Sequence, residues 1–205
     1  MFLSKVYMPW QQAKNAYQLH QALWSFFPGH ENDNRGFLFR VEHQQKGTGT
    51  QILMQSMQKP DENINSPQLL AQRNYDINPC VGQRLRFRLR ANPIKTIKDE
   101  RKGIVTRKGK TFTRTVRVPL LNEEEQKDWL ERKFQNWTRL ETLLIQPEPV
   151  LYFRKHKDNC CGKIQPVLFD GVMTIVDVQG FLEQLQKGIG PAKAFGCGLL
   201  SIART

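Results

Sequence analysis

Gln83-Arg84-Leu85-Arg86-Phe87-Arg88-Leu89-Arg90 alternates apolar and basic residues without a break. A period of two is the signature of a strand with unlike faces, so Leu85, Phe87 and Leu89 point one way and Arg84, Arg86, Arg88 and Arg90 the other. One face joins a core and the other displays four guanidiniums in a row. Like charges on one strand face repel, which calls for an anion against some of them, and RNA or DNA is the natural candidate.

Working outward, Phe2–Met8 reads as a strand, Ala13–Phe27 as a helix stopped by Pro28-Gly29, and 36–42 and 50–57 as strands. Ser66–Gln72 reads as a short helix and Gln83–Ala91 as the fourth strand, giving the order βαββαβ of a ferredoxin-like domain. Downstream, Asn92-Pro93 opens a basic excursion that closes at Arg117-Val118-Pro119, a hairpin whose tip holds Gly103 and Gly109. A helix over Glu123–Leu140 follows, capped by Asn122, then strands near Leu143–Phe153 and Lys163–Val176, a helix over Val178–Lys187, and a last strand near Leu199–Ile202. The expectation is an α+β chain of tandem ferredoxin-like domains, residues 1–91 and 92–205, the second a less regular copy.

Charge sharpens the functional reading. The 205 residues carry a net charge of +12, and the stretch from Arg84 to Arg117 holds thirteen basic residues against Asp99 and Glu100. Such concentration is the footprint of a nucleic-acid surface, since a solubility device mixes both signs. Its candidate RNA contacts are Arg86, Arg88, Arg90, Lys95, Lys98, Arg101, Lys102, Arg107, Lys108, Lys110, Arg114 and Arg117. A second candidate is Gly188-Ile189-Gly190-Pro191-Ala192-Lys193-Ala194-Phe195-Gly196-Cys197-Gly198, four glycines around one lysine. Missing Cβ atoms let backbone N–H groups approach a phosphate, which nominates Gly188, Gly190, Lys193 and Gly196; a plain glycine-rich turn is the competing interpretation. The spacing fits neither a P-loop nor a dinucleotide fingerprint.

Other classes recede. No apolar run approaches the roughly 20 residues of a membrane span, and the N-terminus does not resemble a signal peptide, so a cytoplasmic protein with no membrane partner is expected. Cys80, Cys160, Cys161 and Cys197 form no C-x-x-C pair and read as reduced thiols, and no metal-ligand set or cofactor motif is visible. On the first helix, Tyr17, His20 and Trp24 recur at three and four residues beside the stripe Ala16, Leu19, Leu23, Phe27, so Tyr17 and His20 emerge together. Imidazole titrates near neutrality and suits proton transfer at a ribose 2′-hydroxyl or a leaving 5′-oxygen; the phenol suits hydrogen bonding to a phosphate oxygen.

The stretches Tyr17–Trp24, Phe87-Arg88-Leu89-Arg90-Ala91-Asn92-Pro93-Ile94-Lys95-Thr96, Arg117–Leu120, Phe169–Ile175 and Gly188–Ser201 together resemble the CasE family, CRISPR-associated endoribonucleases of the type I-E Cascade complex. The resemblance runs from Phe2 to Ser201. It implies cleavage of precursor CRISPR RNA at the base of the repeat stem-loop, continued binding of the product, and other Cascade subunits as partners. By motif, His20 takes the family's catalytic histidine, Tyr17 its assisting tyrosine, and the excursion after Arg90 the stem-binding role. The corresponding chemistry is metal-independent transesterification giving a 2′,3′-cyclic phosphate and a 5′-hydroxyl, with Lys163 a candidate for stabilising the transition state. The alternatives are a non-catalytic RNA-binding scaffold, in which Tyr17, His20 and Trp24 only pack, and a reader of single-stranded RNA.

Overall fold

The computed structural model describes residues 1–30, 35–107, 110–155 and 160–205. Its first sheet contains β1 (Phe2–Pro9), β2 (Phe37–Gln45), β3 (Gly49–Ser56) and β4 (Gln68–Asn74), ordered β2-β3-β1-β4 with every pair antiparallel. Two short helices, α1 (Trp10–Ala13) and α2 (Ala16–Leu23), cross from β1 to β2, with a 3-10 turn at Trp24–Phe26. The single helix expected over Ala13–Phe27 is thus broken, because the Asn15 side chain accepts from Tyr17 N at 3.0 Å and restarts the helix there.

The segment expected to form a second helix is strand β4. Pro67 followed by helix formers resembles a helix start, yet Leu69 packs on the core while Leu70 is exposed, the alternation of an edge strand. β1 would otherwise leave a row of backbone groups unpaired, and pairing with β4 satisfies them.

The second sheet contains β5 (Arg84–Ala91), β10 (Thr138–Pro147), β13 (Val167–Ile175) and β14 (Leu200–Arg204), ordered β10-β13-β5-β14. α3 (Glu123–Phe134) and α4 (Val178–Lys187) complete the order βαββαβ. The strand Arg84–Ala91 therefore opens the second unit; the expectation that it closes the first was wrong. Its alternation fixed one buried face but could not say which helices would cover it, and Leu85, Phe87 and Leu89 lie in the core with Trp129, Phe134 and Phe181. The sheets divide the chain between Asn74 and Arg84, ahead of the expected boundary. The regularity is also reversed, since the second unit carries the full plan and the first lacks a helix between β3 and β4.

α3 begins as expected, with Asn122 accepting from Glu124 N and Glu125 N, but ends at Phe134, not Leu140. The Trp137 indole donates to Lys133 O at 2.7 Å, and the chain turns into β10. Two excursions leave the second sheet. β6 (Ile94–Lys98) pairs with β9 (Thr115–Pro119), and between them lie a 3-10 turn at Glu100–Lys102 and the hairpin of β7 (Ile104–Arg107) and β8 (Lys110–Thr113). Gly103 ends that 3-10 turn with φ +73°, and Gly109 lies outside the described residues. The other excursion pairs β11 (Leu151–Lys155) with β12 (Cys160–Ile164).

The two units are pinned together by buried polar contacts. Gln55 donates to Leu185 O at 2.8 Å, and Arg40, 4% exposed, donates from Nη1 to Arg88 O at 3.0 Å while its Nε meets Glu42 at 2.7 Å. Each bond satisfies a group whose desolvation would otherwise be unfavourable, so together they define one relative placement.

Candidate active site

α2 buries Leu19 and Leu23 and leaves Tyr17 and His20 half-buried along its border. β2 supplies the floor: the His20 ring lies 5.7 Å from that of Phe37 and 6.3 Å from that of Phe39, nearly parallel to Phe39, with Trp24 edge-on at 6.3 Å. Nε2 of His20 is shut from solvent and has no hydrogen-bond partner among the described residues. Desolvation, and then the charge of Arg35, lower its pKa to about 4, so the ring is neutral at physiological pH.

Arg35 escaped the sequence reading. It stands two residues before β2, and nothing in Asn34-Arg35-Gly36-Phe37 sets it apart from other arginines. The fold brings it beside His20 and, across the junction, beside Lys193. A cleft of about 550 Å³ is lined by Arg35, Leu38 and Met57 from one unit and by Glu183, Lys187 and Lys193 from the other. Burial lowers the pKa of Lys193, followed by the charges of Arg35, Lys187 and Lys133, and its Nζ donates to Lys187 O at 2.6 Å.

The arginine row is corrected. Arg84 meets Glu141 with Nη2 to Oε2 at 2.6 Å, Arg88 meets Asp170 with two bonds at 2.7 and 3.0 Å, and Arg90 meets Glu148 at 2.5 Å. Hydrogen bonds from Arg84 and Thr174 hold the Glu141 carboxyl down at about 2, so it stays ionised. The anions demanded by the row are carboxylates of the protein itself. Arg90 is 7% exposed and does not face an RNA, and among these four only Arg86 lacks an ion pair among the described residues.

Of the other basic residues, Lys95 pairs with Glu125 at 2.6 Å. Lys98 and Arg117 share one face of the β6–β9 hairpin and are exposed, as are Arg101 and Arg114. Lys108, and the side chains of Lys102, Arg107 and Lys110, lie outside the described residues. Lys163 sits opposite Tyr152 on β12, exposed, while Phe153 on the alternate face of that hairpin packs on Phe195 at 4.4 Å between rings. The structure does not turn Lys163 toward α2.

The glycines act through packing. Gly188 and Gly196 are buried with φ +74° and +77°; a Cβ on Gly188 would fall 2.7 Å from Leu38 Cδ2, and one on Gly190, φ +77°, 2.8 Å from Trp129 Cη2. Their backbone is closed against side chains and offers no open cradle at Gly188 or Gly196, which corrects the phosphate assignment there. What the segment brings to the site is its 3-10 turn, Lys193–Phe195, set against α2.

Among the described residues no group of His, Cys, Asp or Glu is placed to hold a metal, and no helix is long and apolar enough to cross a membrane. The fold and site together define a tandem ferredoxin-like protein with a neutral histidine packed on Phe37, a residue that lines a basic cleft between its units. A sequence profile described as CRISPR associated protein matches residues 1–204. The chain is 42% identical over 203 residues to the CRISPR system Cascade subunit CasE of Escherichia coli (strain K12), covering 99% of each. It is 31% identical over 204 residues to the CRISPR-associated endoribonuclease Cse3 of Thermus thermophilus, covering 92% of this chain and 90% of the relative. It superposes with a TM-score of 0.79, at 29% identity, on Cse3 bound to a 19-nucleotide RNA, over 99% of this chain and 100% of that one. The chain belongs to the CasE/Cse3 family of CRISPR-associated proteins.

Proposed function

We propose that this chain is an endoribonuclease that cuts precursor CRISPR RNA at the base of the repeat stem-loop and retains the product among the subunits of Cascade. The observation that carries the reading is His20: a neutral, desolvated imidazole whose Nε2 has no partner among the described residues, packed on Phe37, which lines a basic cleft. A neutral ring accepts a proton, so His20 serves as the base. The 2′-hydroxyl upstream of the cut gives its proton to His20, the 2′-oxygen bonds to phosphorus, the P–O5′ bond breaks, and the 5′-oxygen takes up a proton from water while the His20 imidazolium returns its own to the solvent. The products are a 2′,3′-cyclic phosphate and a 5′-hydroxyl. The nucleophile comes from the RNA, so the reaction needs no metal to generate it. Tyr17, one turn before His20, hydrogen-bonds a phosphate oxygen and fixes its direction.

Stem recognition falls to the β6–β9 hairpin, where Lys98, Arg101, Arg114 and Arg117 are exposed. The narrow major groove of A-form RNA hides its bases, so these contacts read shape and phosphates. Lys163 is given no part. A scaffold without catalysis is the second reading, favoured by the packing of His20 against Phe37, Phe39 and Trp24. Incubating the protein with a repeat hairpin in excess EDTA separates them: cleavage leaving a cyclic phosphate supports the enzyme, and tight binding without cleavage supports the scaffold.

A further inference from the structure

Arg35 is treated differently from Arg40 and Arg90, two other arginines with little exposed guanidinium. Arg40, Arg84, Arg88 and Arg90 each meet a carboxylate within the protein. Arg35 has no ion pair among the described residues, although its Nε is shut from solvent and has no acceptor. Burying a charged donor without a partner is costly, and the cost is removed only when an acceptor arrives. Nε2 of His20, close enough to feel the charge of Arg35, is likewise buried without a hydrogen-bond partner among the described residues. Arg35 lines a cleft together with Lys187 and Lys193, Phe37 on the same cleft packs against the His20 ring, and Glu183 is the one carboxylate among the described residues of its wall.

The acceptor that fits is a tetrahedral anion. A guanidinium presents its N–H groups in a planar fork that matches two phosphate oxygens, and an ammonium across the cleft can reach a third. The support is rigid: Phe37, two residues after Arg35, packs on the His20 ring, so one strand end sets both the floor under the imidazole and the root of the guanidinium.

We propose that Arg35, with Lys193 opposite, holds the non-bridging oxygens of the scissile phosphate beside His20, and so stabilises the charge that accumulates on them when the 2′-oxygen attacks. This rests on the endoribonuclease reading above. Charge develops on those oxygens in the transition state, so a donor fixed against them speeds the chemical step more than it tightens ground-state binding.

The test uses the full chain and a repeat hairpin. Single-turnover cleavage is measured for the parent, R35A, R35K and R35Q, and affinity is measured on the same hairpin with a 2′-deoxy nucleotide before the cut. R35A is expected to slow cleavage by roughly 10²- to 10³-fold, with affinity for the 2′-deoxy RNA falling less than tenfold and the melting temperature kept. R35K should recover part of the rate and R35Q little. If R35A does not fold, R35K and R35Q, which keep the apolar stem, carry the comparison. Cleavage by R35A at the parental rate overturns the proposal, and so does a loss of affinity as large as the loss of rate, which would make Arg35 an anchor for RNA only. A parent chain that leaves the hairpin intact overturns the endoribonuclease reading and the proposal with it, an outcome distinguishable from an active parent whose R35A variant is equally active.

Discussion

Arg88 of β5 grips Asp170 of β13 with both arms of its guanidinium, Nε to Oδ1 at 2.7 Å and Nη2 to Oδ2 at 3.0 Å. The two face each other in register across neighbouring strands, so the sheet itself neutralises the charge. A guanidinium already matched to a carboxylate releases few counterions when RNA binds. R88A should therefore leave the salt dependence of hairpin binding close to the parental slope, whereas R117A, on the open hairpin, should reduce it by a little under one unit. Titrating hairpin affinity from low to moderate salt for both variants checks the contrast, and equal slopes for the two would refute it.

H20A should lower single-turnover cleavage by roughly 10²- to 10⁴-fold with hairpin affinity nearly unchanged, because in the proposed mechanism the imidazole carries the proton and little of the binding. Parental cleavage in H20A would remove His20 from the chemistry.

The acidity of His20 sets a pH signature. A base works deprotonated, and burial followed by the charge of Arg35 lowers its pKa from the ordinary 6.5 to about 4. The cleavage rate at sub-saturating protein, which reports on the free enzyme, should stay level as pH falls from 8 to 5 and decline only near 4. The same shift acts on stability. Between 6.5 and about 4 the unfolded chain holds more protons at this position, so its contribution is full above 6.5 and is lost as pH falls through about 4. H20A should show a shallower loss of melting temperature over that window, and an acid limb near 6.5 in the parent would contradict the assignment.

Gly190 tests packing against phosphate contact. With φ +77° and Trp129 Cη2 2.8 Å from where a Cβ would stand, G190V should lose roughly 1–3 kcal/mol of stability. Thermal melting should register that loss, with normal hairpin affinity in the protein that remains folded. Full stability with weakened RNA binding would restore the cradle.

Much of the second unit was legible because its signals are local. Asn122 caps a helix, and the period-two run from Arg84 shows one strand with one buried face. Sheet membership was not legible, since Leu85, Phe87 and Leu89 would satisfy any apolar layer of the right size, and β4 became a strand only because β1 needed a partner. Within the site, Tyr17 and His20 could be paired by helical spacing. Arg35 and Lys193 could not, because only the packing of one unit on the other, through Gln55, Arg40 and Leu38, brings them together. The pairing of the arginine row with Glu141, Asp170 and Glu148 was hidden for the same reason: each carboxylate comes from a distant stretch of chain.

That junction also orders events during synthesis. His20 and Arg35 belong to the first unit, while Lys193 follows α4 in the second, and the lock between the units closes on Leu185 and Gly188. A ribosome that has translated only the first sheet holds a histidine with half a cleft around it. On the proposed mechanism, a fragment broken before α4 lacks Lys193 and the second wall of the cleft, so cutting is expected only from a chain whose second unit has docked.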